Sequence, residues 1–159
     1  MQNRYHLVQQ FGDIPMPLKP TNSVETTAHK TKVDEVWNQI VTDLEFAVEN
    51  LPETYQASEF GHITKYAAMH HLSRVYLTLK RSDDDLKKAL NYAEQVINSG
   101  KYSLVKSHAE LWDINNKNNS EVLFSVLYTQ NAELNGDGNT AHMYFCSAYS
   151  EEHPAVKRV

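Results

Sequence analysis

Apolar residues recur every three or four positions through the middle of the chain, the spacing that places them on one face of an α-helix. The clearest stripe follows Thr31 and runs to about Leu51, where Pro52 ends it. Thr31 and Asp34 have the spacing of a capping box, which satisfies free N–H groups at a helix start. The stripe consists of Val33, Val36, Trp37, Ile40, Leu44, Val48 and Leu51.

Two further stripes predict two more helices. The first runs from Thr64, which can cap it, to about Leu79; the second starts after Ser82, another good cap, and ends near Gly100. Their short connection makes them antiparallel neighbours, and small residues plus a tyrosine on the facing sides are typical of a tetratricopeptide-type hairpin. No clean repeat of about 34 residues is present. The expected buried positions are Ala68, Leu72, Val75, Tyr76 and Leu79, then Leu86, Ala89, Leu90, Ala93, Val96 and Ile97.

A shorter stripe stands at the start of the chain. Tyr5, Val8 and Phe11 follow one another at three-residue spacing and predict a helix that ends near Gly12, with no capping residue before it. The prolines among residues 13–20 favour an extended, polyproline-like path, and the polar stretch after them predicts a loop.

The last third of the chain changes character. Residues 102–105 and 122–128 are rich in β-branched and aromatic side chains and predict strands, the second apolar on both faces and therefore covered on both. Ser107 opens a short helix that reaches Trp112. Residues 130–159 show no helical or strand pattern and predict a long irregular segment.

Together these elements predict a mainly α fold over residues 1–159, a single domain of tetratricopeptide-like helical hairpins with a few short strands and an irregular C-terminal segment. The composition agrees, since 159 residues with 41% hydrophobic and 22% charged side chains suit one globular domain. A net charge of −5 without a Lys/Arg cluster argues against nucleic acid as a partner. The single cysteine, Cys146, forms neither an internal disulfide nor a CxxC site.

Acidic pairs and histidines are the candidates for catalysis and metal binding. The carboxylate pairs lie on the exposed side of the predicted second helix, where charge normally serves solvation, so we expect no glycosidase pair. His70 and His71 point about 100° apart on a helix and cannot share a metal, and we expect them to be partly buried and hydrogen-bonded. Residues 131–138 begin like an EF-hand loop, but His142 stands where the bidentate Glu belongs. The pairs are Asp34 with Glu35, Asp43 with Glu45, and Glu45 with Glu49.

No phosphate-binding loop, dinucleotide fingerprint or nucleophile motif appears in the sequence, so we expect no catalytic residue, no metal and no cofactor. Aromatic and amide side chains are the remaining candidates for ligand binding, because sugars stack on flat rings while amides take their hydroxyls. Trp37 lies on a core stripe and is read as structural, whereas Trp112 fits either role. The predicted ligand-binding residues are Trp112, Asn131, Asn135, Asn139, Tyr144 and Tyr149; the alternative for the rings is packing of the loop onto the helices.

Five stretches stand in a recognisable order between residues 5 and 128. They read YHLVQQFGDIPMPLKPT, VDEVWNQIVTDLEFAVENLP, GHITKYAAMHHLSRVYL, ALNYAEQVINSGKYSLV and LWDINNKNNSEVLFSVLY. In this order they resemble the SusD/RagB family, in which a helix ending in a YGDIP-type turn precedes V-Y-x-x-I-x-x-D-L and K-x-A-A-x-x-L-L-A-R-V-Y-L helices. An A-x-x-x-A-x-x-V-I-x-S-G-x-Y-x-L stretch and an N-N-S-E-x-I-F stretch follow there.

The resemblance implies a glycan- or nutrient-binding, non-catalytic component of an outer-membrane polysaccharide uptake system in Bacteroidetes. It further implies a surface-exposed, lipid-anchored protein whose helical part faces a SusC-like TonB-dependent transporter. Family members are about three times this length, so we expect a middle fragment that lacks the lipidated cysteine. No ligand residue carries over by a matched motif.

Two other interpretations stay open at this stage. The helical hairpin also fits a free-standing tetratricopeptide-like module that binds a protein partner. A carbohydrate-active enzyme is the weaker alternative, and it requires one of the carboxylate pairs to be catalytic.

Overall fold

The computed structural model describes residues 2–19, 22, 27, 29–56, 59, 61–113, 115, 116 and 118–126. The helices of this part are α1 (Gln2–Phe11), α2 (Val33–Asn50), α3 (Lys65–Leu79), α4 (Asp83–Asn98) and α5 (His108–Leu111). Two short strands, β1 (Ile14–Pro15) and β2 (Lys30–Thr31), pair antiparallel. The prediction of a mainly α fold is confirmed. No helix among the described residues is long and apolar enough to cross a membrane.

The core lies between α1, α2 and α3. The predicted stripes of α2 and α3 supply its centre, where Val36, Ile40, Leu72 and Val75 are fully buried. Helix α1 adds Tyr5, whose ring meets the rings of α2 and α3 edge-on and whose hydroxyl lies 3.0 Å from the hydroxyl oxygen of Thr78. The periodic spacing therefore identified the buried faces of α2 and α3. In α1 it was right for Tyr5 and Val8 and wrong for Phe11, which is 66% exposed at the end of the helix.

Helix α2 begins without the predicted capping box. Its N-cap residue is Lys32, which makes no side-chain cap hydrogen bond. The cap comes from Asp13 in the turn after α1, whose Oδ1 accepts from the backbone N–H of Val33 at 2.9 Å. Its Oδ2 accepts from the Lys32 Nζ, also at 2.9 Å. The prediction of a Thr31–Asp34 box was wrong because the β1–β2 pairing brings a carboxylate from 20 residues earlier to the helix start.

Helices α3 and α4 form the predicted hairpin. Thr64 and Ser82 cap them, each accepting from a backbone N–H three residues later. Where the helices cross, the Ser73 hydroxyl donates to the carbonyl of Ala89 at 2.7 Å, a contact that only small residues permit. Helix α4 ends as predicted near Gly100, which takes the left-handed conformation with φ +65°.

The outer side of the hairpin differs from the prediction. Leu90 and Ile97, expected in the buried stripe of α4, are 59% and 72% exposed. Only Ala89 and Val96 of that stripe are buried, because the described part of the chain packs α4 against α3 along a narrow strip of small residues. Leu90 and Ile97 therefore form an exposed apolar ridge on α4.

Neither predicted strand in the last third forms within the described residues. Residues 102–105 and 122–126 are extended or bent but belong to no sheet, and residues 127 and 128 lie outside the described part. The backbone N–H of Ser103 donates to the Ser120 carbonyl at 3.0 Å, while that of Val105 donates to the Glu121 carboxylate at 3.0 Å. The Glu121 side chain thus accepts a hydrogen bond that a backbone carbonyl would accept in a strand pair. Phe124 is 39% exposed, so this segment is not covered on both faces as predicted.

Candidate functional site

Trp112 is the predicted ligand-binding residue that falls in the described part of the chain. It follows α5 and is 73% exposed, which removes the alternative that this ring packs in the interior. Its indole Nε1 donates to His108 Nε2 at 3.0 Å, and Ser107 caps the helix beneath it. An exposed, locally fixed indole offers a flat apolar surface of the kind on which a sugar ring stacks.

The loop after Trp112 is held by its own hydrogen bonds. Asn119 is buried, and its Nδ2 donates to the carbonyls of Leu111 at 3.3 Å and Asn116 at 3.1 Å. The other five predicted ligand-binding residues, Asn131, Asn135, Asn139, Tyr144 and Tyr149, lie outside the described residues, as does the EF-hand-like stretch at 131–138.

A cleft that sequence reasoning missed opens between the loop after α2 and residues 118–125. We call it the Tyr55 cleft; its volume is about 480 Å³. The ring of Tyr55 meets that of His62 edge-on, with centroids 5.2 Å apart, and the Tyr102 ring meets that of Tyr66 in the same way at 6.0 Å. Polar side chains surround these rings, namely Glu53, Thr54, Gln56, Glu59, Lys101 and Asn118.

The Tyr55 cleft was missed because its walls come from the loop in front of α3 and from residues 101–125, which are far apart in the sequence. The signal in the sequence was an aromatic residue between carboxylates and amides in a loop, but its partner Tyr102 comes 47 positions later. That residue was assigned to a strand. Its hydroxyl lies 3.4 Å from the Thr64 hydroxyl oxygen, which ties the far wall of the cleft to the start of α3.

A second, more apolar groove of about 550 Å³ runs between α2, α3 and residues 121–124. Leu44, Leu51 and Ala68 form one wall, and Leu123 and Phe124 form the other. We call it the Leu44 groove. Leu123 packs against the buried core from this side.

His71 lies at the polar end of the Leu44 groove, beside Arg74. Burial, followed by the charge of Arg74, lowers the pKa of His71, so the imidazole is neutral at pH 7. Its Nε2 is buried and has no hydrogen-bond partner within the described part, whereas His70 is exposed. His71 is therefore partly buried as predicted but lacks the expected hydrogen bond at Nε2, whereas the prediction of partial burial was wrong for His70.

Of the candidate carboxylates, Asp34, Glu35 and Glu49 are exposed as predicted, whereas Asp43 and Glu45 have structural partners. Asp43 accepts from Gln39 Nε2 and lies 3.6 Å from the Arg4 guanidinium, while Glu45 accepts from the buried Tyr76 hydroxyl at 2.8 Å. Both are half-buried rather than solvated as predicted. Burial and then this hydrogen bond to Glu45 raise the pKa of Tyr76, which keeps the hydroxyl protonated as a donor. Across the described residues, no three His, Cys, Asp or Glu side chains come together as a metal site.

Residues 3–77 match the family model of SusD-like proteins described as "starch-binding associating with outer membrane". A curated SusD-like protein of Bacteroides ovatus is 31% identical over 117 residues, which are 69% of this chain and 19% of that protein. A structure solved with a xylogluco-oligosaccharide is 25% identical, with a TM-score of 0.72 over 79% of this chain and 27% of that one.

A laminarin-binding SusD-like protein is 26% identical and matches with a TM-score of 0.69 over 80% of this chain and 28% of its own. Both structural matches cover a larger share of the chain than residues 3–77, which the family model covers. The chain spans between 19% and 28% of the length of these proteins.

Proposed function

Since the chain is SusD-like in sequence and in fold, we propose that it forms the helical part of a glycan-binding, non-catalytic component of an outer-membrane polysaccharide uptake system. The observation that carries this proposal is the similarity in fold to two glycan-binding proteins, one solved with a xylogluco-oligosaccharide and one that binds laminarin. The exposed Trp112 and the aromatic Tyr55 cleft give the chain surfaces of the kind that sugars use.

Glycan binding is tested on the full-length gene product by calorimetry with laminarin and xyloglucan oligosaccharides. We expect saturable binding to at least one polysaccharide of the panel. Replacement of Trp112 by Ala measures the contribution of this side chain to glycan affinity. Trp112→Phe, which keeps a flat ring, is the matched control. A full-length protein that binds none of a broad set of neutral and charged glycans contradicts the proposal.

The proposed partner is a SusC-like TonB-dependent transporter at the cell surface, reached through the helical part, with a lipid anchor holding the full-length protein to the outer membrane. The apolar ridge on α4 supports a protein contact, because Leu90 and Ile97 expose side chains that are usually covered. Co-purification from detergent-solubilised outer membranes is the test. Leu90→Ser with Ile97→Ser should weaken recovery of the transporter, whereas Lys87→Ser on the same helix should leave it unchanged.

The same ridge favours the second candidate, a tetratricopeptide-like module that binds some other protein. Fractionation separates the two candidates. A product recovered with the outer membrane supports the first, and a product recovered in soluble fractions with a different protein supports the second.

A further inference from the structure

The Tyr55 cleft has the size and shape of a small-ligand site. Its volume of about 480 Å³ falls within the range of pockets that hold small molecules. The loop of residues 53–56 lies on one side and residues 122–125 on the other, with Lys101 and Tyr102 also in the lining. Two hydrogen bonds fix its edges, from the backbone N–H of Lys65 to the Pro52 carbonyl at 2.9 Å and from that of Glu59 to the Gln56 carbonyl at 2.9 Å.

The aromatic rings of the cleft leave room for a further stacking partner. Tyr55 and His62 stand at 84° to each other, so this contact occupies no more than one face of either ring. Within the described residues neither ring meets another aromatic group. Tyr55 is only half-buried and His62 is exposed, so their surfaces are open to the cleft.

The polar groups of the cleft are those that bind hydroxyls. Gln56, Glu59 and Lys101 are exposed, and no side-chain hydrogen bond engages them in the part of the chain that the structure describes. Carboxylates accept from hydroxyl groups, an ammonium donates to them, and an amide does both. A polyhydroxylated ring can therefore stack on Tyr55 while its hydroxyls form hydrogen bonds with these polar side chains.

The charge of the cleft restricts the ligand. Glu53 and Glu59 contribute two negative charges and Lys101 one positive charge, so the carboxylates and the ammonium of the lining sum to −1. This disfavours sulfated or uronic-acid glycans, since like charges repel. The mixture of rings, carboxylates and amide suits a neutral saccharide.

We infer that the Tyr55 cleft, whose lining does not include Trp112, is a binding subsite for a short segment of a neutral oligosaccharide. The inference rests on the proposed glycan-binding function and adds a location and a ligand class to it. Tyr55 provides the stacking surface, and Gln56 and Glu59 provide hydrogen bonds to hydroxyls.

Calorimetry on the full-length protein with laminarin and xyloglucan oligosaccharides tests the inference through a set of variants. Loss of one stacking ring should weaken binding roughly three- to tenfold in Tyr55→Ala. Tyr55→Phe keeps the ring and should bind within about twofold of wild type. Phe46→Ala, which removes an exposed ring of α2 outside the cleft, is the matched control and should bind as wild type does.

A Tyr55→Trp variant gives a direct signal from the cleft. Its fluorescence during saccharide titration, compared with that of the native tryptophans in the wild-type titration, should gain a blue shift that saturates with the binding isotherm. If the wild-type protein binds saccharide, Tyr55→Ala has the same affinity and Tyr55→Trp gives no new signal, the cleft is not a saccharide subsite. The proposed glycan-binding function is then unaffected. Absence of glycan binding by the wild-type protein overturns both. Tighter binding of a sulfated glycan than of a neutral one contradicts the assigned ligand class.

Discussion

At the scale of single residues, Asp13 shows how one carboxylate joins two parts of the chain. It sits in the turn after α1 and caps α2, with its two oxygens on the Val33 N–H and the Lys32 ammonium. The hydrogen bond from Lys32 and then that from Val33 lower the pKa of Asp13 below its ordinary value. The Gly-Asp-Ile-Pro turn therefore has a structural role, because it places Asp13 at the start of α2, which begins 20 residues later in the sequence.

Replacement of Asp13 by Ala should lower the melting temperature by roughly 3 to 8 °C at pH 7, the usual effect of losing an N-cap. Differential scanning calorimetry measures it, and Asp34→Ala, which alters an exposed carboxylate in the first turn of α2, should have a smaller effect. Because the pKa of Asp13 is lower in the folded protein than in the unfolded chain, its ionised carboxylate stabilises the fold at pH values above the ordinary pKa. The difference in melting temperature between wild type and Asp13→Ala should therefore persist above about pH 4 and shrink below it. A difference that grows on acidification contradicts this role.

Tyr76 is the residue on which α2, α3 and α4 converge. Its hydroxyl donates to Glu45 of α2 and its ring stacks on Tyr92 of α4 at 6.2 Å, while the residue itself is 4% exposed. We expect Tyr76→Phe to lower the free energy of unfolding by about 1 kcal/mol, since it removes one hydrogen bond and leaves a carboxylate oxygen without its donor.

Urea unfolding measures the effect of Tyr76→Phe, and Tyr92→Phe is the matched control. Tyr92 is in the same ring stack, and its hydroxyl makes no hydrogen bond among the described residues, so its loss should change stability by less than about 0.5 kcal/mol. Equal effects of the two substitutions would show that the bond to Glu45 contributes nothing.

At the scale of elements, periodicity predicted the helices and tertiary context decided the rest. Helices α2, α3 and α4 lie within two residues of the predicted bounds, because a stripe of apolar residues at helical spacing specifies a helix. The predicted strand at 122–128 failed in its described part because strand propensity needs a neighbouring strand to pair with. Spacing alone also cannot distinguish buried apolar residues from exposed ones such as Leu90 and Ile97, since both kinds recur at three- and four-residue intervals along a helix.

The same limit explains the candidate sites. Trp112 could be proposed from the sequence because a tryptophan beside a loop stands out, and its role in ligand binding stays a prediction. The Tyr55 cleft brings Tyr55 together with residues 46 to 70 positions further along the sequence, and no local pattern connects them.

The α3–α4 crossing gives a prediction at this scale. Ala89 is 5% exposed and its carbonyl accepts the Ser73 hydroxyl at 2.7 Å, so the helices touch there without room for a larger side chain. Ala89→Leu should destabilise the protein by about 1–3 kcal/mol through overpacking. Leu90→Ala, one position away on the exposed side, should stay within about 0.5 kcal/mol of wild type. Urea midpoints compare the two, and a tolerated Ala89→Leu would mean that the crossing is looser than the hydrogen bond indicates.

At the scale of the whole molecule, the question is whether this protein turns over the glycans it is proposed to bind. Hydrolysis needs two carboxyl groups free to act on either side of a glycosidic bond. Asp43 and Glu45 are instead engaged by Gln39 and Tyr76, and Glu53 and Glu59 are the acidic residues that line the Tyr55 cleft. In the cleft, Tyr55 and Gln56 provide the features of a binding surface.

We therefore expect the full-length protein to bind laminarin or xyloglucan without releasing reducing ends during prolonged incubation. The measurement is a reducing-sugar assay run beside the binding titration, with a known glucanase as positive control. Glu53→Gln and Glu59→Gln should change affinity by no more than about tenfold, as expected for the loss of one hydrogen bond to a charged group. Product release that disappears in either variant would make the cleft an active site, because a binding carboxylate alters affinity whereas a catalytic one abolishes turnover.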